Sequence, residues 1–181
     1  MHPWHDIEVD ESQARDRLPA VIEIPKGSKN KYELDKRSGL LRLDRVLYGA
    51  MHYPANYGFI PRTWCDDGDA LDVLVLGQGA IRPLVVVEVR PIGVMHMRDE
   101  KGQDHKIIAV NVHDPAVMDY TSIEQLPRHL MREVRGFFEY YKVLERKEVV
   151  VNEPLGAEQA AVVIRAALDA YRHLTAPVAL T

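Results

Sequence analysis

Short apolar segments rich in β-branched residues occupy the first two thirds of the chain, separated by polar stretches that contain glycine. Apolar runs of this length predict β-strands rather than helices. The predicted strands cover residues 20–24, 31–35, 40–43, 71–76, 84–97 and 106–110. Residues 37–39 and 99–102 carry the glycine and polar side chains that are typical of hairpin turns. This part of the chain therefore predicts at least six strands.

Helical periodicity appears only in the last third of the chain. Apolar residues recur at three- and four-residue spacing after Pro127, and a second such stripe extends through residues 156–174. The stripes consist of Leu130, Val134, Phe137, Phe138 and Tyr141, and of Ala160, Val163, Ile164, Ala167, Leu168 and Tyr171. Strands followed by helices predict an α+β fold. A small barrel, closed or partly open and flanked by the helices, would hide the sheet edges.

Length and composition indicate how many domains the chain forms and in which cellular compartment it occurs. With 181 residues, 46% of them hydrophobic, the chain can form one core, so we expect a single domain over residues 1–181. No apolar run approaches the roughly 20 residues of a membrane span, and the N-terminus lacks the layout of a signal peptide. Cys65 is the only cysteine, which excludes an internal disulfide and favours the cytoplasm. A net charge of −4 favours neither nucleic acid nor an anionic membrane as a partner.

Four carboxylates lie within seven residues, directly before an apolar strand. They are Asp66, Asp67, Asp69 and Asp72. Carboxylates this close repel one another, so hard cations such as Mg²⁺, Mn²⁺ or Ca²⁺ would stabilise them. A solvated turn is the alternative, because Asp and Gly are common turn residues. Asp72 favours the metal site, since a lone charge at the mouth of a buried strand is costly. The spacing does not fit an EF-hand, because Gly68 comes too early.

More charged residues occur where the pattern predicts strands. Asp99 and Asp104 flank the second hairpin, and Lys106 falls on the same side of its strand as Asp104. These aspartates could complete cation sites, although solvation of the hairpin explains them about equally well. Glu23, Lys31, Glu33 and Arg45 stand among apolar neighbours, and either a solvent face or a cavity lining accounts for them. Residues 53–60 add tyrosine hydroxyls beside a predicted tight turn, and residues 140–142 add a phenol and an ammonium group.

Carboxylates combined with Lys, Arg and Tyr, without a candidate covalent nucleophile, indicate a phosphate-rich substrate held between metals and cationic side chains. The sequence lacks the P-loop, the dinucleotide-binding glycine motif, the zinc-peptidase motif and the serine nucleophile elbow. Two alternatives remain at the level of the residues. One is hydrolysis of another phosphoanhydride, such as a nucleoside diphosphate or a short polyphosphate. The other is an OB-type module for single-stranded nucleic acid, which the acidic balance disfavours.

Several ordered motifs resemble those of the soluble family I inorganic pyrophosphatases of the prokaryotic type. The resemblance covers most of the chain and includes residues 21–25, 31–33, 44–45, 53–58, 67–72, 90–94, 99–106 and 137–142. It implies a five-stranded OB-like β-barrel with flanking α-helices, and Mg²⁺-dependent hydrolysis of inorganic pyrophosphate to two phosphates without a covalent intermediate. It also implies several Mg²⁺ ions per active site, with Mn²⁺ as a possible substitute.

The resemblance further implies a role for each residue of the site. Asp67, Asp72, Asp99 and Asp104 would bind metal, and the metals would lower the pKa of a shared water. Asp69 would be the general base. The residues implied for substrate binding are Lys31, Arg45, Tyr57, Lys106, Tyr141 and Lys142. Glu23, Glu33 and Tyr53 would support the site.

The chain departs from the family pattern in two places. Ala70 stands where the signature usually has proline, which would loosen the metal loop slightly. Gly136 and Tyr140 occupy a helix segment where some relatives carry histidines at a subunit interface. The resemblance still implies a homohexamer.

Overall fold

The computed structural model describes residues 1–99 and 102–175. Nine strands and two α-helices are present in this part of the chain. The strands are β1 Leu18–Ile24, β2 Asn30–Leu34, β3 Leu41–Val46, β4 Asn56–Phe59, β5 Asp72–Leu76, β6 Val86–Asp99, β7 Gly102–Asn111, β8 Val150–Val151 and β9 Leu155–Gly156. The helices are α1 Arg128–Tyr140 and α2 Ala157–Thr175, and 3₁₀ turns cover Glu11–Gln13, Ile123–Gln125 and Val143–Glu145.

Five strands form a closed ring. The hydrogen-bonded order is β1-β4-β5-β7-β6, and β6 pairs again with β1. The β5–β7 pair is parallel, and the other pairs of the ring are antiparallel. The ring leaves none of its five strands as an open edge. The predicted α+β fold with a five-stranded barrel and flanking helices is confirmed.

The six predicted strands are all present, with ends displaced by a few residues. The predicted turn at residues 37–39 joins β2 to β3, and Gly39 has a φ of +70°. Residues 100 and 101 of the second predicted turn lie outside the described residues. Both helices begin and end within two residues of the predicted positions.

Residues 54 and 55 form a bend, and the following Asn56–Phe59 form β4 in the middle of the ring, a strand that the sequence did not predict. Gly58 explains why the pattern of this strand was missed. A Cβ at this position would lie 1.9 Å from the carbonyl oxygen of Val21 on β1. The glycine therefore permits a close approach of two strands rather than a turn.

The two faces of the ring strands pack against different helices. Leu74, Ile108 and Val110 belong to the cluster that includes α1, whereas Val73 and Ile107 belong to the cluster that includes α2. Alternation along β5 and β7 therefore directs Asp72 and Lys106 towards the α1 side. In the described part of the chain, no helix combines the length and the apolar content needed to cross a bilayer.

Candidate active site

A cavity of about 610 Å³ lies between the β2–β3 hairpin, the loop before β5, the ends of β6 and β7, and the end of α1. Its lining includes charged residues that lie more than 100 positions apart in the sequence. The predicted site residues that line it are Glu23, Lys31, Glu33, Arg45, Tyr57, Asp67, Asp69, Asp72, Asp99, Asp104, Lys106, Tyr141 and Lys142. Tyr53 does not line the cavity, since it is buried behind Tyr57 with the two ring centroids 5.5 Å apart.

Lys106 occupies the centre of this cavity wall. The parallel register of β5 and β7 places it beside Asp72. Its Nζ donates to Asp72 Oδ2 at 2.7 Å and to the two oxygens of Asp104 at 2.9 and 2.8 Å. It also donates to the hydroxyl of Tyr57 at 2.9 Å. The side chain is almost fully buried, so these contacts replace its hydration.

The pKa values in this group follow from burial and charge together. Burial alone would lower the pKa of Lys106, but the carboxylates of Asp104 and Asp72 outweigh it and place that pKa well above the ordinary value. Burial raises the pKa of Asp72, and Lys106 opposes this rise. Burial is also the largest cause that raises the pKa of Tyr57, so its hydroxyl stays a hydrogen-bond donor. The phenol donates to Asp72 Oδ2.

The acidic loop before β5 is shaped by its own backbone. Gly68 adopts a φ of +80°, and the amide of Asp69 donates to Asp67 Oδ1 at 3.0 Å. Burial raises the pKa of Asp67, so a nearby cation would stabilise its ionised form. Lys36 reaches this loop from the β2–β3 hairpin, where its Nζ donates to the carbonyl of Gly68 at 2.7 Å and pairs with Asp69.

The end of α1 contributes a second buried ion pair. Lys142 Nζ donates to Asp99 Oδ2 at 2.7 Å, and both side chains are nearly inaccessible to solvent. Burial raises the pKa of Tyr141 beyond the range in which it could ionise near neutral pH. The Lys142–Asp99 pair thus joins the end of α1 to the end of β6 at the cavity.

The hairpin supplies the remaining cationic groups. Lys31 Nζ pairs with Glu33 and lies 3.1 Å from Asp44 Oδ2. Arg45 Nε donates to Glu145 Oε1 at 2.9 Å. Both cations are partly buried, and their positive charge faces the same cavity as Lys106.

Glu23 is the carboxyl group that β1 contributes to the site. Burial, followed by the charge of Asp72, raises its pKa to about 8. The amide of Leu34 donates to its Oε1 at 2.7 Å and opposes the rise. Of the two alternatives for Glu23, a solvent face or a cavity lining, the structure shows the cavity lining.

Three contact residues had no role in the sequence analysis. They are Lys36, Asp44 and Glu145. Asp44 stands beside Arg45 in one of the motifs, and Lys36 lies two residues after the end of β2. The charged residues of this hairpin were the signal that could have identified both. Glu145 gave no signal, because its pairing with Arg45 depends on contact between segments 100 residues apart. Burial, followed by the charges of the nearby aspartates, raises the pKa of the Cys65 thiol to about 12.

The donor set fits a hard divalent cation. Among residues 1–99 and 102–175, no three His, Cys, Asp or Glu side chains stand in a metal-binding arrangement. Instead, lysine ammonium groups neutralise the aspartates. Burial disfavours ionised Asp67 and Asp72, and oxygen-only ligands suit Mg²⁺. The residues present therefore fit the implied metal.

Comparison with known proteins decides the family. A family model described as inorganic pyrophosphatase matches residues 20–172. The chain belongs to the inorganic pyrophosphatase family. It is an inorganic diphosphatase, an enzyme that hydrolyses pyrophosphate to two phosphates.

Individual inorganic pyrophosphatases agree with this assignment along most of their length. Soluble inorganic pyrophosphatase 2 of Chlamydomonas reinhardtii is 49% identical over 176 residues, which cover 97% of this chain and 91% of the relative. The solved inorganic pyrophosphatase of Thermus thermophilus has a TM-score of 0.88 and 43% identity, covering 92% of this chain and 97% of that one. The Helicobacter pylori structure has a TM-score of 0.87 and 45% identity, covering 92% and 99%.

Proposed function

We propose that this chain hydrolyses pyrophosphate with Mg²⁺ held by Asp67, Asp72, Asp99 and Asp104, and with Asp69 as the general base. The observation that carries the proposal is the convergence of these five aspartates with six cationic or phenolic groups in one cavity. Bound Mg²⁺ would offset the charge of the substrate and acidify water. Mn²⁺, which prefers the same oxygen ligands, would substitute for it.

The cationic side chains of the cavity bind and orient the substrate. Lys31 and Arg45 line the cavity from β2 and β3, and Lys142 lines it from the end of α1, so together they can contact several phosphoryl oxygens of a diphosphate. Lys106 and the phenols of Tyr57 and Tyr141 line the same cavity and would donate hydrogen bonds to the substrate. Arg45 and Lys142 offset the charge that develops on the departing phosphate.

Asp69 takes the proton in the hydrolytic step. Water attacks one phosphorus atom, the bond from that atom to the bridging oxygen breaks, and two phosphates result. Asp69 is half-exposed at the cavity edge, so water and substrate can reach it. Its partner Lys36 holds the carboxylate near Gly68. Glu23 and Glu33 line the same cavity and support the aspartates through water, while Tyr53 supports Tyr57 from behind.

Phosphate release from pyrophosphate, with Mg²⁺ and with chelator, tests these roles. Asp69→Asn keeps the size of the side chain and removes the base, so we expect kcat to fall by about 10² to 10⁴. Asp119→Asn is the matched control, because Asp119 is exposed and is not one of the residues that line the cavity. Unchanged kcat in Asp69→Asn, with the wild-type rate abolished by chelator, would remove Asp69 from the mechanism and leave the metal requirement standing.

We also propose that the protein assembles as a homohexamer. Large apolar side chains are exposed near the end of α1 and the end of β3, including Tyr48, Tyr140, Val143 and Leu144. A Cβ on Gly49 would lie 3.7 Å from Leu144 Cδ1, so the two segments form one surface. Size-exclusion chromatography with light scattering tests the assembly, and a monomer mass would refute it.

The single domain over residues 1–181 and the cytoplasmic location stay predictions. Family similarity over residues 20–172 supports one domain, and a thiol at Cys65 without a cysteine partner supports a reducing compartment. Fractionation of cells that produce the untagged protein tests the location.

A further inference from the structure

Two histidines face each other on the side of β7 opposite to the candidate active site. His96 of β6 lies opposite His105 of β7 in the antiparallel register. Their Nδ1 atoms are 2.6 Å apart, and the ring planes meet at 83° with centroids 4.5 Å apart. Because side chains alternate along a strand, His105 points away from the cavity that Asp104 and Lys106 line.

The strands that carry these imidazoles are held in the sheet by their neighbours. β6 pairs with β7 on one side and with β8 on the other, where the amide of Asn152 donates to the carbonyl of His96 at 3.0 Å. β7 pairs in turn with β5. Both rings are partly exposed, so a small ligand can reach them. The pair is therefore preorganised, and binding would order few additional groups.

We propose that His96 and His105 form a bidentate nitrogen site for a divalent transition metal, and that Cu²⁺ and Ni²⁺ are the metals that fit it best. Only one Nδ1 atom can carry the proton that lies between the rings, so the other Nδ1 directs its lone pair towards that proton. On binding, the donor ring moves its proton from Nδ1 to Nε2, and both lone pairs face the metal. Water completes the coordination from the exposed side.

The distance between the nitrogens selects the coordination geometry. With metal–nitrogen bonds of about 2.0 Å, the observed separation subtends about 80° at the metal. The 90° of square-planar or tetragonal coordination needs a nitrogen separation of about 2.8 Å, whereas tetrahedral coordination needs about 3.3 Å. Cu²⁺ and Ni²⁺ thus require a smaller movement of the strands than tetrahedral Zn²⁺ does.

The donor atoms separate this site from the oxygen-lined cavity. Mg²⁺ prefers oxygen ligands, so excess Mg²⁺ would not compete for two imidazoles. The proposal does not depend on the roles assigned to the cavity residues.

The test is a Cu²⁺ titration of the untagged full-length protein in excess Mg²⁺. Isothermal calorimetry gives the stoichiometry and affinity, and electron paramagnetic resonance counts the nitrogen ligands. We expect a site with two imidazole nitrogens whose affinity falls at least about tenfold in His96→Asn and in His105→Asn, because one ligand of the chelate is lost. Circular dichroism and Mg²⁺-dependent phosphate release establish that each variant folds.

Two control variants make the result decisive. His113→Asn changes an exposed imidazole that contacts Glu88 at 2.8 Å, and it should leave the affinity unchanged. His2→Asn disrupts another pair of neighbouring imidazoles, His2 and His5, whose ring centroids are 4.4 Å apart. Copper binding that disappears in His2→Asn but persists in His96→Asn and His105→Asn would overturn the proposal. Equal binding by the wild type and both strand variants would do the same.

Discussion

Replacement of Lys106 by methionine would expose how the substrate-free site is stabilised. Methionine keeps an apolar stem against the rings of Tyr57 and Phe138, whose centroids lie 5.3 and 5.5 Å from the ammonium nitrogen. It removes the positive charge that lies within hydrogen-bond distance of Asp72 and Asp104. The two carboxylates then face each other without a cation.

The size of the effect follows from burial. Lys106 is 2% exposed, and removal of one partner from a buried ion pair costs about 3–5 kcal/mol, because the remaining charge stays desolvated. We therefore expect Lys106→Met to lower the free energy of unfolding by about 3–5 kcal/mol in the presence of chelator. Mg²⁺ should reduce this difference, since Lys106 no longer competes for the two aspartates and a bound cation replaces its charge.

Urea unfolding followed by tryptophan fluorescence, with chelator and with saturating Mg²⁺, measures both quantities. Lys26→Met is the matched control, because its ammonium group is exposed and donates to a backbone carbonyl, that of Gly77, at 3.2 Å. We expect the control to change stability by less than about 0.5 kcal/mol. A loss below about 1 kcal/mol for Lys106→Met in chelator would refute the view that its charge stabilises the two buried carboxylates.

Two further predictions concern Glu23 and the glycines. Burial gives Glu23 a pKa of about 8 against an ordinary value of 4.5, so the native state binds a proton that the unfolded state releases. Stability should therefore decrease by about 3 kcal/mol between pH 5.5 and 8.5 in chelator, and Glu23→Gln should abolish that decrease in urea titrations; an unchanged pH slope would contradict this. Gly58→Ala should destabilise by about 3 kcal/mol or more, because its Cβ would clash with the carbonyl of Val21. Gly136→Ala should stabilise by about 1 kcal/mol, because a Cβ at this position of α1 would extend into open space. Thermal unfolding of both variants measures these effects, and equal changes in Tm would contradict the clash at Gly58.

The amino-acid sequence alone determined most of the secondary structure of this protein. Runs such as residues 71–76 and the stripes of α1 and α2 have a local periodicity that matches their burial, so they predict their own elements. The family motifs also identified the chemical groups of the site, because hard-cation and phosphate chemistry require particular side chains.

The tertiary structure decided what depends on contacts between distant segments. β4 was missed because Gly58 has meaning only beside Val21 of β1, and β8 and β9 are too short to carry a periodic pattern. The pairing of Arg45 with Glu145 and of His96 with His105 follows from strand register and helix placement. Such pairs lack a local signal, since the energy that selects them arises only when the ring of strands closes and brings the side chains together.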